Sequence, residues 1–177
     1  MYMAYYQGLA VPGAVDTVGS IVELALVQGI RRLILLSGRG EEEAERAGQV
    51  LQNSSADWTI RRCSWFSQNF SENFLRDSVL TGEVVLPAGN VGEPFVDADD
   101  IADVAVAALT ADRHVGQLYE LTGPRLLTFA EAVEEIAKAV GRNICYVPVS
   151  AKEYASALAD AELPHDFCEQ AALAERR

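Results

Sequence analysis

Two histidines and three cysteines are the side chains of this sequence best suited to nucleophilic or general-base chemistry near neutral pH. His114 lies in a short loop and His165 stands beside a proline, and neither has a partner nucleophile close to it in sequence. The cysteines are far apart and form no Cys-x-x-Cys pair: Cys63, Cys145 and Cys168. This spacing predicts solvated histidines and reduced thiols, and indicates neither a zinc site nor a disulfide framework.

Carboxylates dominate the charged residues, and the formal net charge is −12. The acidic runs at 41–45 and 97–103 could hold a metal ion, but carboxylates near helix N-termini are stabilised by the helix dipole, so we interpret both runs as solvated helix faces. Lys138 and Lys152 are the only lysines. With only two lysines and a negative net charge, the chain cannot form a basic surface that follows a phosphate backbone, so we expect no nucleic acid as partner. Because the acidic runs are interpreted as solvated, we expect no metal either.

The length and composition bound the class of protein. The chain has 177 residues, of which 50% are hydrophobic and 23% are charged, and this profile is typical of one compact domain. No run of about 18 apolar residues occurs, and the start has no basic region followed by a long apolar stretch. We expect a cytoplasmic protein without a membrane span.

Strands and helices alternate along the first half of the sequence. Short apolar runs predict strands at 2–6, 33–36 and 58–62. Apolar residues at helical spacing predict helices at 15–28, 41–52 and 68–80. Such alternation is typical of an α/β fold, in which a mostly parallel sheet is covered by helices on both faces. Ligands of these folds bind at the carboxyl ends of the strands.

The elements become shorter after Gly82. Strands are predicted at 84–86, 95–96, 117–121 and 144–149, and a helix at 99–110. Two capping boxes, Thr128 with Glu131 and Ser150 with Glu153, predict two more helices, the first of which ends at Gly141. The tail after Pro164 is also predicted to be helical. No linker or repeat divides the chain, so we predict one domain, 1–177, with a sheet core to about 110 and a carboxy-terminal lobe after it.

Four segments carry a resemblance to a known family, and they are LILLSGRG, DWTIRRCSWFSQNF, EPFVDADDIADVAVAAL and LYELTGPRLLTFAEAVEEIAKAVGR. In this order they resemble the second half of the NmrA-like atypical short-chain dehydrogenase/reductases. Within that family the sequence looks closest to ergot-alkaloid reductases of the festuclavine dehydrogenase type and to their bacterial relatives. The resemblance implies a truncated, doubly wound Rossmann fold, in which Tyr2–Tyr6 corresponds to the fourth strand and the first three strands are absent.

The resemblance also implies NAD(P) as the cofactor. The family's glycine-rich turn, where the pyrophosphate rests on a helix N-terminus, lies in the absent segment, and no Gly-x-Gly-x-x-Gly occurs in this sequence. We interpret Gly38-Arg39-Gly40 as an ordinary turn. We therefore expect weak or absent cofactor binding. The positions that match the family's nicotinamide end are Tyr6, Ser37, Gly38, Cys63 and Ser64.

By the same resemblance, four residues would border the substrate: Trp65, Phe66, Asn69 and Phe70. Their rings could stack on a flat aromatic molecule and the amide could orient it. The alternative is that the three rings only fill the core. The parent superfamily's Tyr-x-x-x-Lys pair, in which the ammonium lowers the pKa of the phenol, is absent, since no tyrosine has a lysine four residues later. The catalytic residues are therefore unassigned.

The resulting hypothesis is an NAD(P)H-dependent oxidoreductase that reduces a quinone, an imine or a similar small unsaturated molecule. The alternative is a non-catalytic module, derived from the same family, that binds a small molecule or another protein. The Tyr2–Tyr6 strand would form a sheet edge without the lysine, proline or charge that usually protects one. We therefore predict that a second copy, in a homodimer that also uses the neighbouring helices, or a complementary chain covers this edge.

Overall fold

The computed structural model describes residues 1–5, 9 and 13–160, with side chains through residue 157. The predictions made for Tyr6 and for the tail after Pro164 lie outside the described residues. The strands are β1 Tyr2–Met3, β2 Arg32–Gly38, β3 Asp57–Cys63, β4 Glu83–Leu86, β5 Gly92–Glu93, β6 Gln117–Leu121, β7 Leu127–Thr128 and β8 Cys145–Pro148. The helices are α1 Ala14–Val27, α2 Glu42–Gln52, α3 Arg76–Thr81, α4 Ala98–Thr110, α5 Phe129–Val140 and α6 Ala151–Asp160.

The chain divides into two compact units. Unit 1 comprises residues 1–64 and 96–122, and unit 2 comprises residues 65–95 and 123 onward. The sequence predicts that a lobe starts near residue 111, whereas β6 at Gln117–Leu121 pairs with β3 in the sheet of unit 1. The organisation of the chain as one domain stays a prediction.

Unit 1 contains a parallel sheet in the order β1-β2-β3-β6. Leu33 and Leu35 of β2 and Ile60 of β3 pack with apolar residues of α1 and α2 on one face. The side chains of Arg32 and Arg61, which alternate with these residues, donate hydrogen bonds to carbonyl groups of α4. Because successive strand side chains point to opposite faces, α4 covers the other face. The predicted α/β class with a mostly parallel sheet is confirmed.

Unit 2 has two small sheets, one pairing β4 with β8 in parallel and one pairing β5 with β7 antiparallel. Phe129 and Val133 of α5 pack with Phe70, Val84 and Ile144 in its core. The capping box at the start of α5 is present, because the Thr128 hydroxyl accepts from the Glu131 N–H at 3.2 Å and the Glu131 carboxylate accepts from the Thr128 N–H at 2.8 Å. Ser150 and Glu153 form the same pair at α6.

The helix predicted at 68–80 is only partly correct. A 3₁₀ turn spans Ser67–Asn69, and α3 begins at Arg76. Between them the Asn73 side-chain oxygen accepts a hydrogen bond from the Phe74 N–H at 2.9 Å, and such local bonds compete with helix formation. The short strand expected at 95–96 lies at Gly92–Glu93 instead. Among the described residues no helix is long and apolar enough to cross a membrane.

Candidate functional site

The parallel strands of unit 1 bring their carboxyl ends to one edge of the sheet. Gly38 at the end of β2 is the register partner of Cys63 at the end of β3, and Cys63 is the partner of Leu121 at the end of β6. Ser37 and Ser64 are the chain neighbours of two of these residues. Four of the five predicted cofactor residues therefore lie at one edge, where α/β folds bind ligands. The fifth, Tyr6, lies outside the described residues.

Ser37 contacts the first turn of α2, and Gly38 contacts Glu41, the residue just before α2. The Ser37 side chain is only 4% exposed, and its hydroxyl donates to the Ala44 carbonyl at 3.4 Å. The Glu41 carboxylate lies over Gly38, so closely that a Cβ there would overlap it. These contacts give both residues a structural role in holding the start of α2 against the end of β2. Their role in ligand binding stays a prediction.

Cys63 and Ser64 are buried at the end of β3. Burial raises the pKa of the Cys63 thiol to about 11, and the nearby Arg61 guanidinium only partly opposes this shift. The thiol is therefore protonated at neutral pH and is a poor nucleophile. The Ser64 N–H donates to the Leu121 carbonyl at 3.0 Å, which extends the pairing of β3 with β6 by one residue.

The charges near this edge do not fit a phosphate group. Arg39 is paired with Glu120 at 3.3 Å, and Arg62 lies 3.8 Å from Glu45. The Glu41 carboxylate beside Gly38 adds a negative charge. A pyrophosphate placed here would meet carboxylates and arginines that already have partners. Ser37, Gly38, Cys63 and Ser64 carry no formal charge at neutral pH, and the described residues of this edge supply no phosphate cradle.

The predicted substrate residues belong to unit 2, where two of them join an aromatic cluster of Trp65, Phe70, Phe74, Phe95 and Phe129. Ring centroids are 5.0 Å apart for Trp65 and Phe129, 5.8 Å for Trp65 and Phe74, and 5.5 Å for Phe70 and Phe95, all in edge-to-face geometry. Phe70 is 6% exposed. Edge-to-face packing of buried rings stabilises a core, so this geometry favours packing as the main role of Phe70.

Phe66 and Asn69 are half-buried, so each keeps part of its side chain available to a ligand. The Asn69 carbonyl accepts from the Leu75 N–H at 3.2 Å, and its side-chain oxygen lies 3.5 Å from the Asn73 amide nitrogen. The backbone of Asn69 is therefore held by a bond that a change of side chain would leave intact. Of the four predicted substrate residues, Asn69 is the one that can be tested with least disturbance to packing.

Glu93 is a buried residue that the sequence analysis missed. Its carboxylate accepts from the Trp65 backbone N–H at 3.0 Å and so fixes the chain at the first residue of unit 2 after β3. The sequence offered no signal for this contact, since Glu93 lies 28 residues from Trp65 and forms no motif with it.

Unit 2 also contains an apolar groove of about 440 Å³ between the 3₁₀ turn, α3 and α5. Phe70 forms part of its wall, together with Ser67, Ser71, Arg76, Val79, Leu80, Phe95, Leu127, Ala132, Glu135, Ile136 and Val140. Its volume is in the range of small-molecule sites. Ala132, Ile136 and Val140 recur every four residues on α5 and form one side of the groove.

The sequence is similar to several curated reductases, although no family model matches it. Agroclavine dehydrogenase of Claviceps fusiformis is 32% identical over 153 residues, which cover 82% of this chain and 53% of that protein. Festuclavine synthase I of Penicillium roqueforti is 30% identical over 161 residues, covering 87% and 56%. The NAD(P)H azoreductase of Xenophilus azovorans is 28% identical over 170 residues, covering 90% and 58%. The chain therefore spans about half the length of these relatives.

Solved structures share the fold at lower identity. A triphenylmethane reductase of Citrobacter matches with a TM-score of 0.79 at 20% identity, covering 99% of this chain and 63% of the other. An NADPH-dependent quinone oxidoreductase of Escherichia coli, solved with NADPH, matches with a TM-score of 0.78 at 21% identity, covering 97% and 62%. The chain is therefore homologous to clavine dehydrogenases and NAD(P)H reductases, and its fold is that of the NmrA-like atypical short-chain dehydrogenase/reductases.

Proposed function

We propose that this protein serves the NAD(P)H-dependent reduction of a quinone, an imine or a similar small unsaturated molecule. The observation that carries the proposal is the edge of unit 1, where Gly38, Cys63 and Leu121 end three neighbouring parallel strands. Homologues whose names describe them as dehydrogenases and an NAD(P)H azoreductase support the same reaction class. The cofactor, when bound, supplies the hydride.

The residues of this chain would bind and orient rather than exchange protons. In the proposal Ser37, Gly38, Cys63 and Ser64 face the nicotinamide, and Tyr6 lies near them. The protonated Cys63 thiol places no charge beside the ring. Trp65, Phe66, Asn69 and Phe70 would contact the substrate, with Asn69 supplying the hydrogen bond that orients it. The cofactor's phosphates would have to be held by groups other than the described residues of this edge.

Oxidation of NADPH in the presence of a quinone, followed by absorbance at millimolar cofactor, tests the proposal. Asn69→Ala is expected to lower kcat/KM about tenfold, the effect of losing one orienting hydrogen bond, while the melting temperature stays nearly constant. Glu72→Ala, at an exposed residue three positions further along the chain, is the control and should leave kcat/KM unchanged. Phe70→Ala should instead destabilise the protein by about 3 kcal/mol, because it removes a buried ring.

The non-catalytic alternative also has a specific observation in its favour, since Arg39 and Arg62 at the carboxyl edge of unit 1 already lie beside Glu120 and Glu45. Under it, the chain binds a flat aromatic molecule or another protein without turnover. Quinone titrations monitored by the fluorescence of Trp58 and Trp65 separate the two functions. Saturable quenching with no NADPH oxidation at any cofactor concentration would establish a binding module and exclude the reductase.

The assembly and the location of the protein are further parts of the proposal. β1 is the last strand of its sheet in the described part of unit 1, which supports the prediction that a second copy or a complementary chain covers it. Cys63 and Cys145 are free thiols, as expected of a protein in the reducing cytoplasm. Light scattering coupled to size-exclusion chromatography measures the assembly directly.

A further inference from the structure

Glu93, in β5, is a buried charged residue of unit 2, with 6% of its surface exposed. Its carboxylate accepts a hydrogen bond from the Trp65 backbone N–H at 3.0 Å. Removing a carboxylate from water is costly, so a buried one depends on the hydrogen bonds that it receives. A hydrogen bond to an ionised acceptor is also stronger than one between neutral groups. Glu93 therefore holds the backbone at Trp65 more firmly than a neutral acceptor does.

The strand that carries Glu93 is itself held on both sides. Glu93 is the register partner of Leu127 in the antiparallel pair of β5 and β7. Directly after Glu93, the Pro94 carbonyl accepts a hydrogen bond from the Gly123 N–H at 2.9 Å. Because these bonds are made by the backbone, they fix the strand independently of its side chains. The Glu93 carboxylate is therefore presented to Trp65 from a rigid position.

Trp65 is held a second time, through its ring. The ring centroid lies 5.0 Å from that of Phe129 and 5.8 Å from that of Phe74, both in edge-to-face geometry. Phe129 is the first residue of α5 and follows β7 directly in the chain. The backbone and the ring of Trp65 are therefore both fixed to the segment formed by β5, β7 and the start of α5.

The turn that carries two of the predicted substrate residues starts beside Trp65. Phe66 is the next residue, and its carbonyl accepts from the Asn69 N–H at 3.1 Å across the 3₁₀ turn Ser67–Asn69. Phe66 and Asn69 are both half-buried. Since the turn is short and closed by this bond, a shift of Trp65 moves Phe66 and Asn69 with it. A displacement of about 1 Å is enough to weaken the contact between an orienting group and its ligand.

We propose that Glu93 is a positioning residue, which fixes Trp65 and thereby holds Phe66 and Asn69 in the orientation that binds the substrate. This inference rests on the function proposed above. Glu93 acts through the Trp65 N–H and does not touch the substrate itself. Its loss weakens the substrate in the ground state and in the transition state alike, so it raises KM and leaves kcat nearly unchanged.

Steady-state oxidation of NADPH by the full chain, with menadione as the quinone and millimolar NADPH, tests this proposal. Glu93→Ala should raise the KM for menadione about tenfold, the effect of losing one hydrogen bond. Glu93→Gln keeps an oxygen that accepts from the Trp65 N–H, so its KM should stay within about twofold of the wild type. Leu86→Ala, at a buried residue of β4, is the control for stability: it should lower the melting temperature and leave KM unchanged.

A double-mutant cycle shows whether Glu93 acts through the turn. If Glu93 only positions Asn69, the variant with both Glu93→Ala and Asn69→Ala should have the same KM as either single variant, about tenfold above the wild type. Additive effects, about 100-fold together, would mean that Glu93 and Asn69 act independently, and would overturn the proposal. If Glu93→Ala fails to fold, Glu93→Asp, which is shorter by one methylene group, replaces it and must show the same lack of additivity.

Hydrogen exchange of the Trp65 amide, followed by NMR, gives a readout that does not depend on activity. The amide should exchange about tenfold faster in Glu93→Ala than in Glu93→Gln, and equal rates would overturn the proposal. An active wild type whose KM does not change in Glu93→Ala would overturn this proposal alone. A wild-type chain that neither oxidises NADPH nor shows quenching of tryptophan fluorescence by menadione would overturn the proposed function, and this proposal with it.

Discussion

Burial determines the chemistry of Cys63 more than its place at the end of β3. Its pKa of about 11, raised from an ordinary 9.0, leaves about 100-fold less thiolate at neutral pH than an unperturbed cysteine has. We predict that iodoacetamide alkylates the exposed Cys145 at least about 100-fold faster than Cys63. Mass spectrometry of peptides from a Cys168→Ser background measures both rates. Comparable rates would show that the end of β3 opens to solvent.

The same shift predicts how stability depends on pH. The folded state keeps the Cys63 proton up to about pH 11, whereas the unfolded chain releases it above about pH 9. A raised folded pKa stabilises the protein below the unfolded pKa, and this contribution is lost as pH rises through the window between the two values. Denaturation of the wild type and of Cys63→Ala should therefore differ in slope between about pH 9 and 11, with the wild type losing stability faster.

For single residues, the sequence predicted the position in the fold better than the contacts of the side chain. Ser37, Gly38, Cys63 and Ser64 do lie at one edge of the sheet, because an apolar run bounded by a turn identifies the end of a parallel strand. The hydroxyl of Ser37 donates a hydrogen bond to the Ala44 carbonyl, and no local sequence pattern predicts this bond. Arg61 was missed because a single charged residue inside an apolar strand shows neither its burial nor its partners.

The connection between β6 and β7 depends on a glycine that cannot accept a side chain. The Gly123 N–H donates to the Pro94 carbonyl at 2.9 Å, and a Cβ on Gly123 would overlap the Phe95 carbonyl. Backbone atoms cannot move aside as a flexible side chain can. We predict that Gly123→Ala destabilises the protein by about 2–3 kcal/mol, as overpacking does, measured by urea denaturation.

Gly19→Ala is the matched control for this prediction. Gly19 lies inside α1, where a Cβ would sit 3.6 Å from a Val50 methyl carbon, an ordinary contact. Because alanine has the higher helix propensity, this change should stabilise the protein by about 0.5–1 kcal/mol. Equal effects of the two substitutions would mean that the segment at Gly123 shifts freely, and would remove the structural reason for a glycine there.

Helices were predicted correctly where a local sequence signal marks the residues at which they begin and end. The box of Thr128 and Glu131 marks the start of α5, and Gly141, in the left-handed region at φ 65°, marks its end. The stretch 68–80 was mispredicted because its apolar spacing resembles a helix while Asn73 satisfies a neighbouring N–H locally. The pairing of β5 with β7 joins segments about 35 residues apart, and two-residue strands carry no periodic signal.

On the scale of the whole molecule, charge opposes the proposed cofactor. The net charge of −12 repels a dinucleotide that carries several phosphates. At the carboxyl edge of unit 1 the positive charges of Arg39 and Arg62 face Glu120 and Glu45. The composition alone predicts that the electrostatic field around the protein is negative. The pairing of Arg39 and Arg62 with carboxylates is seen only in the structure. The division into two units was not predictable either, because no linker composition marks residues 64, 95 or 122.

These charges predict an unusual salt dependence of cofactor binding. With no cradle of backbone N–H groups among the described residues of this edge, the Kd for NADPH should be about millimolar in calorimetry. Raising NaCl from about 20 to about 200 mM screens the repulsion and should tighten binding, the reverse of what a basic phosphate site shows. NADH, which lacks one phosphate group, should respond less and is the matched control. A micromolar Kd, or an affinity that falls as salt is added, would instead require a positively charged phosphate site beyond the paired arginines of this edge.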